Sequence, residues 1–311
     1  MKDKRIIFMG TPDFAVPVLE KLIANYQVIM VVTQPDAFVG RKKELVYSPI
    51  KKLALNHQIP VFQPLKIRTD YQPITDLQPD IIITCAYGQI IPLAILECAP
   101  YGAINVHASL LPKLRGGAPI HQALINGEKE TGITIMYMDE KMDEGDMIAQ
   151  AVYQIQETDD VGILHEKLRQ MGADLLIKVL PTIFAGTNKR LKQDHEQATY
   201  AYNIKREAEH LDFKQTTKAV YNQIRGLHPW PLANLIIDNQ EVKALTCTYE
   251  IINHHQQPGI IIKAEPKGLG ITTQDGIIYL TKIKPFGKKA MTIKDYLNGL
   301  KAENLIGKEV K

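Results

Sequence analysis

The chain has few of the residues that staple or anchor a protein. Three cysteines, Cys85, Cys98 and Cys247, are spread over 311 residues. They form no Cys-x-x-Cys pair and their number is odd. Neither a disulfide framework nor a thiolate zinc site is therefore indicated, and a reducing compartment is expected. No apolar run approaches the ~20 residues of a bilayer span, so no membrane partner is expected. The basic start is followed by an apolar stretch that stops at Gly10-Thr11-Pro12-Asp13, too short for the core of a secretory signal. Gly10 follows the first strand signal, but the second and third glycines of Gly-x-Gly-x-x-Gly are missing, which argues against NAD and FAD. A Gly-x-x-x-x-Gly-Lys-Ser/Thr loop is also lacking, which argues against an ATPase. An excess of one charge is lacking too: the net charge is +3. From residue 206 onward, 15 Lys and Arg face 11 Asp and Glu, while the remainder is close to balance at 22 against 23. A mildly basic C-terminal part permits a polyanionic partner.

What is present is ordinary globular material, 45% hydrophobic and 23% charged, long enough for about two domains. Up to about residue 185, strand and helix signals alternate. Strands are expected at 5–9, 27–33, 80–84, 102–107, 131–138 and 147–155. Helices are expected from Thr11, as cap, to residue 25, from Ser48-Pro49, at 92–98, at 119–126 with Gly127 ending it, and at 160–184. This alternation predicts an α/β domain with a mostly parallel sheet covered on both faces. Residues 186–204 are polar and irregular and read as a linker. A helix is expected over 212–226, and Trp230, between two prolines, reads as a packing anchor. Short strands follow at 234–237, 242–249, 259–264, 269–273 and 276–283, spaced as in a small β-barrel.

The candidate chemistry centres on residues 102–112. Side chains alternate along a strand, so Asn105 and His107 leave the same face. A strand ending in an amide and an imidazole makes a poor core but a good site at the carboxyl edge of a parallel sheet. Asn can hold a developing oxyanion, His can carry a proton, and Asp143 is available to orient that His. The acidic run 139–146 fails as a calcium loop, because Lys141 and Glu144 stand where an oxygen ligand and a glycine are needed. His254-His255 reads as solvent-exposed. Arg41-Lys42-Lys43 lies in a long loop, 34–47, directly after a strand, where adjacent cations suit phosphate contacts.

Asn105-x-His107 with Ser109-Leu110-Leu111-Pro112, then Arg115-Gly116-Gly117-Ala118-Pro119-Ile120, then Asp143-x-Gly145-Asp146, resembles the folate-dependent formyltransferase family. Gly10-Thr11-Pro12-Asp13-Phe14-Ala15, Ala86-Tyr87-Gly88-x-Ile90-x-Pro92, Ile224-Arg225-x-x-x-Pro229-Trp230-Pro231 and Pro285-x-Gly287-Lys288-Lys289-x-Met291 extend the resemblance over essentially the whole chain. It implies a Rossmann-like catalytic domain over 1–188, a linker over 189–205 and an OB-type β-barrel over 206–311. The implied donor is 10-formyltetrahydrofolate, with no metal and no nucleotide. The implied acceptor is the α-amino group of methionine carried by initiator tRNA. Asn105, His107 and Asp143 would be catalytic. Tyr87, Gly88, Ile90, Ile91, Ser109, Leu110, Leu111 and Pro112 would line the folate pocket. Arg41, Lys42, Lys43, Arg225, Lys284, Lys288 and Lys289 would meet tRNA. A cytoplasmic monomer is expected. The same catalytic domain could instead serve a glycinamide ribonucleotide or an amino sugar, which would leave the basic loop and the barrel without work. A non-enzymatic RNA-binding protein would leave Asn105, His107 and Asp143 unexplained. One departure is local: Leu232 stands where the family usually has glycine, and bears only on the first turn of the barrel.

Overall fold

The computed structural model describes residues 3–39, 44–298, 300 and 302–311. The chain folds into two compact units. The first holds residues 1–119, 130–154 and 165–202, and the second holds 120–129, 155–164 and 203–311.

The first unit is built on a seven-stranded sheet. Its strands are β1 (Arg5–Gly10), β2 (Gln27–Val32), β5 (Val61–Phe62), β6 (Ile81–Cys85), β7 (Ala103–His107), β8 (Glu130–Tyr137) and β9 (Met147–Gln154). They lie in the order β5-β2-β1-β6-β7-β8-β9. The run from β5 to β7 is parallel, and β8 and β9 turn antiparallel. Strands β1 and β6 are continuous apolar runs, as a sheet buried on both faces requires. Two further short strands, β3 (Ala37–Val39) and β4 (Glu44–Val46), pair antiparallel within the segment expected to be a plain loop.

The helices of the chain's first two-thirds are α1 (Val16–Asn25), α2 (Pro49–Asn56), α3 (Gln72–Thr75), α4 (Leu93–Leu96), α5 (Pro119–Ile125) and α6 (Val161–Phe184). Helix α2 begins as expected: the Ser48 hydroxyl accepts from Lys51 N at 3.0 Å and Pro49 occupies the first turn. The expected Thr11 cap is not observed. The Thr11 hydroxyl donates instead to the Tyr87 carbonyl at 3.1 Å, and a short 3-10 turn, Asp13–Ala15, precedes α1. A strand-end loop thus claims the hydroxyl that would have capped the helix.

The second unit carries α7 (Thr217–Gly226), capped by Thr216, which accepts from Ala219 N. It begins later than expected because Asp212 takes the Lys214 amide and the Gln215 side chain into a turn of its own. The antiparallel strands are β10 (Ala233–Ile237), β11 (Gln240–Ile251), β12 (Ile261–Glu265), β13 (Gly268–Thr272), β14 (Gly276–Pro285) and β15 (Met291–Thr292), followed by α8 (Ile293–Leu297). Their order is β10-β11-β14-β13-β12, with β15 on β14. The end strands β10 and β12 do not pair with each other. The chain's last residues lie between them: Gly307 N and Val310 N donate to Ile261 O and Gly259 O, and Lys311 exchanges both backbone hydrogen bonds with Ile236. Leu232 adopts φ +79, the left-handed region where glycine is the unstrained residue. Trp230 is partly exposed, its ring edge-on to His121, and is no core anchor.

Candidate active site

The sheet brings Asn105 and His107 to one face, and the surroundings fix what each presents. In register, Asn105 lies beside Thr84 on β6, and His107 beside Thr134 on β8. The Thr84 hydroxyl donates to Asn105 Oδ1 at 2.8 Å. That leaves the amide Nδ2, a pure donor, pointing the other way, where it approaches Asp143 Oδ1 at 3.4 Å. His107 is 5% exposed. Its Nε2 lies 3.0 Å from the Leu114 carbonyl, which can only accept, so Nε2 carries a hydrogen. Its Nδ1 faces Asp143 Oδ1 at 3.6 Å.

Asp143 reaches this face from the loop between β8 and β9. Strand β8 runs against β7, with Tyr137 beside Ile104, so the loop starts at the amino end of β7 and must fold back over the strand. The site therefore lies across the face of β7 and not only at its carboxyl edge. The fold-back needs an unusual backbone. Asp143 has φ +55. A Cβ at Gly145 would overlap the Tyr137 carbonyl, so only glycine fits there. Asp143 Oδ2 accepts from Gly116 N at 2.9 Å. Gln193 holds the loop by its backbone, Nε2 donating to Asp143 O at 2.8 Å and to Gly145 O at 2.9 Å. Behind Gln193, Arg115 is 1% exposed and donates to Gln193 Oε1 from Nε and Nη2, at 3.1 and 2.7 Å. Its Nη1 is 3.3 Å from Glu144 Oε1.

The expected folate residues leave β6 and β7, parallel neighbours, at the same edge. Ala86 and Gly88 both adopt positive φ, at 50° and 91°, around Tyr87. The Tyr87 carbonyl takes hydrogen bonds from Thr11 and Gln34, while its hydroxyl is buried with no partner among the described residues. Burial pushes the phenol up to about 12. Ile91 is buried and Ile90 exposed. On the other segment, Leu110 and Pro112 are half-buried. Ser109 is wholly buried, its hydroxyl spent on the Lys113 carbonyl, and Leu111 is buried too. The side chains of these two shape the turn. Thr134 fixes that turn, accepting from Leu111 N and donating to Ser109 O. A cleft of about 720 Å³ adjoins the acidic loop, lined by Leu93, Leu96, residues 139–141 and 144–146, and Gln193 among others.

Of the expected nucleic-acid contacts, Arg41, Lys42 and Lys43 lie outside the described residues. Lys284, Lys288 and Lys289 are exposed, around a Phe286 that is 79% exposed. Arg225 is different and corrects its expected role. It is 9% exposed, and its guanidinium donates to Asn222 Oδ1 and to the carbonyls of Gln156, Glu157 and Asp159. Its Nε and Nη1 are engaged inside the second unit, which makes it first of all a brace for the 156–159 backbone. Sequence reasoning passed over Thr84, Gln193 and the buried role of Arg115. Arg115 had a signal, a cation among small and apolar residues. Gln193 had none, since it sits in the polar stretch that reads as a linker.

Known proteins are similar to this chain over most of its length. The family profile described as formyl transferase matches residues 4–180, and the formyl transferase C-terminal domain matches 203–301. Methionyl-tRNA formyltransferase of Staphylococcus epidermidis is 50% identical over 307 residues, 98% of each chain. The Bacillus subtilis protein of that name is 49% identical over 303 residues, 96% of each. Among solved structures, an N-formyltransferase from Helicobacter canadensis, in complex with folinic acid and dTDP-3-aminofucose, superposes with a TM-score of 0.68 at 22% identity. The match covers 89% of this chain and 98% of that one, and speaks for the fold alone.

Proposed function

Since this chain belongs to the methionyl-tRNA formyltransferase family, we propose that Asn105, His107 and Asp143 carry out its formyl transfer. The reaction moves the formyl group of 10-formyltetrahydrofolate to the α-amino group of methionyl initiator tRNA. The observation that carries the assignment is the convergence of an amide donor, an imidazole nitrogen and a carboxylate on a single face: Asn105 Nδ2 and His107 Nδ1 both lie within 3.6 Å of Asp143.

The methionine amine attacks the formyl carbon, and the carbonyl oxygen becomes an oxyanion. Asn105 Nδ2–H, fixed in direction by Thr84, donates to that oxygen, joined by His107 when Nδ1 is protonated. The amine must lose one proton and the departing folate nitrogen must gain one. Asp143 accepts the first, and the His107–Asp143 pair returns one to the leaving nitrogen, so the balance closes without metal or redox chemistry. The folate supplies the activated formyl group and nothing else. Its ring is held among Tyr87, Gly88, Ile90, Ile91, Leu110 and Pro112, with Ser109 and Leu111 behind. The partnerless buried hydroxyl of Tyr87 supports this fit, because such a group costs stability until a polar edge meets it.

The catalytic role is assigned to the domain expected over 1–188 and tRNA binding to the domain expected over 206–311; the family profiles end and begin at 180 and 203, and residues 189–202 pack with the first unit. The second domain reads as an OB-type barrel, supported by its antiparallel order and by the tail between β10 and β12. Lys284, Lys288 and Lys289 are its tRNA contacts, joined by Arg41, Lys42 and Lys43 of the first domain. The protein works as a cytoplasmic monomer, and the tRNA substrate supports the cytoplasmic reading. The deciding assay offers 10-formyltetrahydrofolate with methionyl initiator tRNA, elongator tRNA and amino sugars. Formylation confined to the initiator tRNA is expected. Preference for an amino sugar would overturn the reading.

A further inference from the structure

The stretch that reads as a linker is built into the first unit, against the catalytic residues. Arg190 Nε pairs with Asp146 at 3.0 Å, and Leu191 exchanges both backbone hydrogen bonds with Met147. Gln193, 5% exposed, grips the carbonyls of Asp143 and Gly145. Further on, Thr199 Oγ1 accepts from Leu114 N at 2.9 Å, and Thr199 O accepts from Arg115 N. Ala201 takes the Ala118 amide and donates to Arg115 O. A Cβ at Gly116 would meet Ala201 O at 2.7 Å, so the segment also sets how closely the Gly116 amide can sit.

The contacts of Gln193, Thr199 and Ala201 end on backbone that holds a catalytic side chain. The Leu114 carbonyl fixes His107, the Gly116 amide fixes the Asp143 carboxylate, and Gln193 fixes the Asp143 backbone in its φ +55 bend. We infer that residues 190–201 form a positioning strap for the His107–Asp143 pair, with Gln193 and Thr199 as its two fixed points. Neither residue touches reacting atoms. Gln193 acts through both hydrogens of one amide, which bracket the strained Asp143 bend between two captured carbonyls. Without that bracket the loop is free to relax toward ordinary backbone, carrying the carboxylate off the ring, and misplacement by about 1 Å can cost a hundredfold in rate.

The inference rests on the formyl-transfer reading, and the test separates the two. The full-length protein and its Gln193→Glu and Thr199→Val variants are compared in formylation of methionyl initiator tRNA. Gln193→Glu keeps the shape and keeps an acceptor for Arg115, but removes the donors to Asp143 O and Gly145 O. Thr199→Val keeps the shape and removes the acceptor for Leu114 N. Both are expected to lower kcat by about 10- to 100-fold, with KM for folate and tRNA within about twofold. The pH–rate profile of each is expected to move, and hydrogen exchange at 143–146 to quicken in Gln193→Glu with the β-strands unchanged. Activity absent from the parent protein would defeat the formyl-transfer reading. An active parent with both variants matching its kcat, pH profile and exchange would defeat the strap alone. So would losses confined to melting temperature.

Discussion

Asp143 Oδ1 stands 3.6 Å from His107 Nδ1, while the far nitrogen of the same ring is already committed to the Leu114 carbonyl. The imidazole thus offers one free nitrogen, and that nitrogen meets a carboxylate. The pair can hold a proton between them in the space where the amine must shed one. Burial of the ring keeps bulk water from competing for it.

Replacing Asn105, His107 or Asp143 by Ala is expected to cut kcat by about 10²–10³-fold each, the usual loss for an oxyanion donor. Far-UV circular dichroism and melting should stay close to the parent. Near-normal turnover of His107→Ala would remove the ring from the mechanism.

Tyr87→Phe deletes a buried hydroxyl that has no partner among the described residues. The free protein should melt at the parent temperature or above it, because nothing is lost in its absence. Affinity for the folate donor should fall by roughly fivefold, about 1 kcal/mol for one hydrogen bond. Titration calorimetry with unchanged or tighter donor binding would show that the hydroxyl meets no ligand.

Lys284, Lys288 and Lys289 differ from Arg225 in what their charges face. Changing the three lysines together to Ala should lower the slope of log affinity against log salt for tRNA by about two. Arg225→Ala should leave the slope alone and lower the melting temperature, since four hydrogen bonds inside the second unit disappear. The opposite pattern would return Arg225 to the tRNA surface.

Asp275 gives the second unit an acid sensitivity. The Thr217 amide and hydroxyl both donate to it at 2.7 Å, holding its carboxyl below the ordinary 3.8. A depressed native value means that its stabilisation is complete above pH 3.8 and is lost as pH falls through the lowered value. Asp275→Asn should therefore be less stable than the parent at neutral pH, with the difference shrinking below about pH 4 in denaturant titrations. A gap independent of pH would refute this.

Alternation of strand and helix signals made the first unit legible, because apolar runs such as 81–85 are what a doubly covered sheet demands. Asn105, His107 and Asp143 were legible as residue types unsuited to a core. The reversal at β8 was not, since a buried antiparallel strand reads like a parallel one. The path of the acidic loop over β7 depends on that reversal and was hidden with it. Arg225 misled because a basic part of the chain makes every arginine look like a surface charge. Gln193 was out of reach because a polar residue in a polar stretch carries no periodicity, and its burial comes from partners 50 and 78 residues away.

The residues at 307–311 leave one more consequence. Without the tail, Ile236 on β10 and Gly259 and Ile261 at β12 would lose their backbone partners and open rows of amides and carbonyls along those edges, with Leu211 still covering Asn234. Such rows recruit other chains, and proteins commonly mask them. A protease trimming five residues here would touch no catalytic group. It would instead bare two sticky edges on the second unit, and the first symptom would be turbidity, with the enzyme still turning over in whatever remained dissolved.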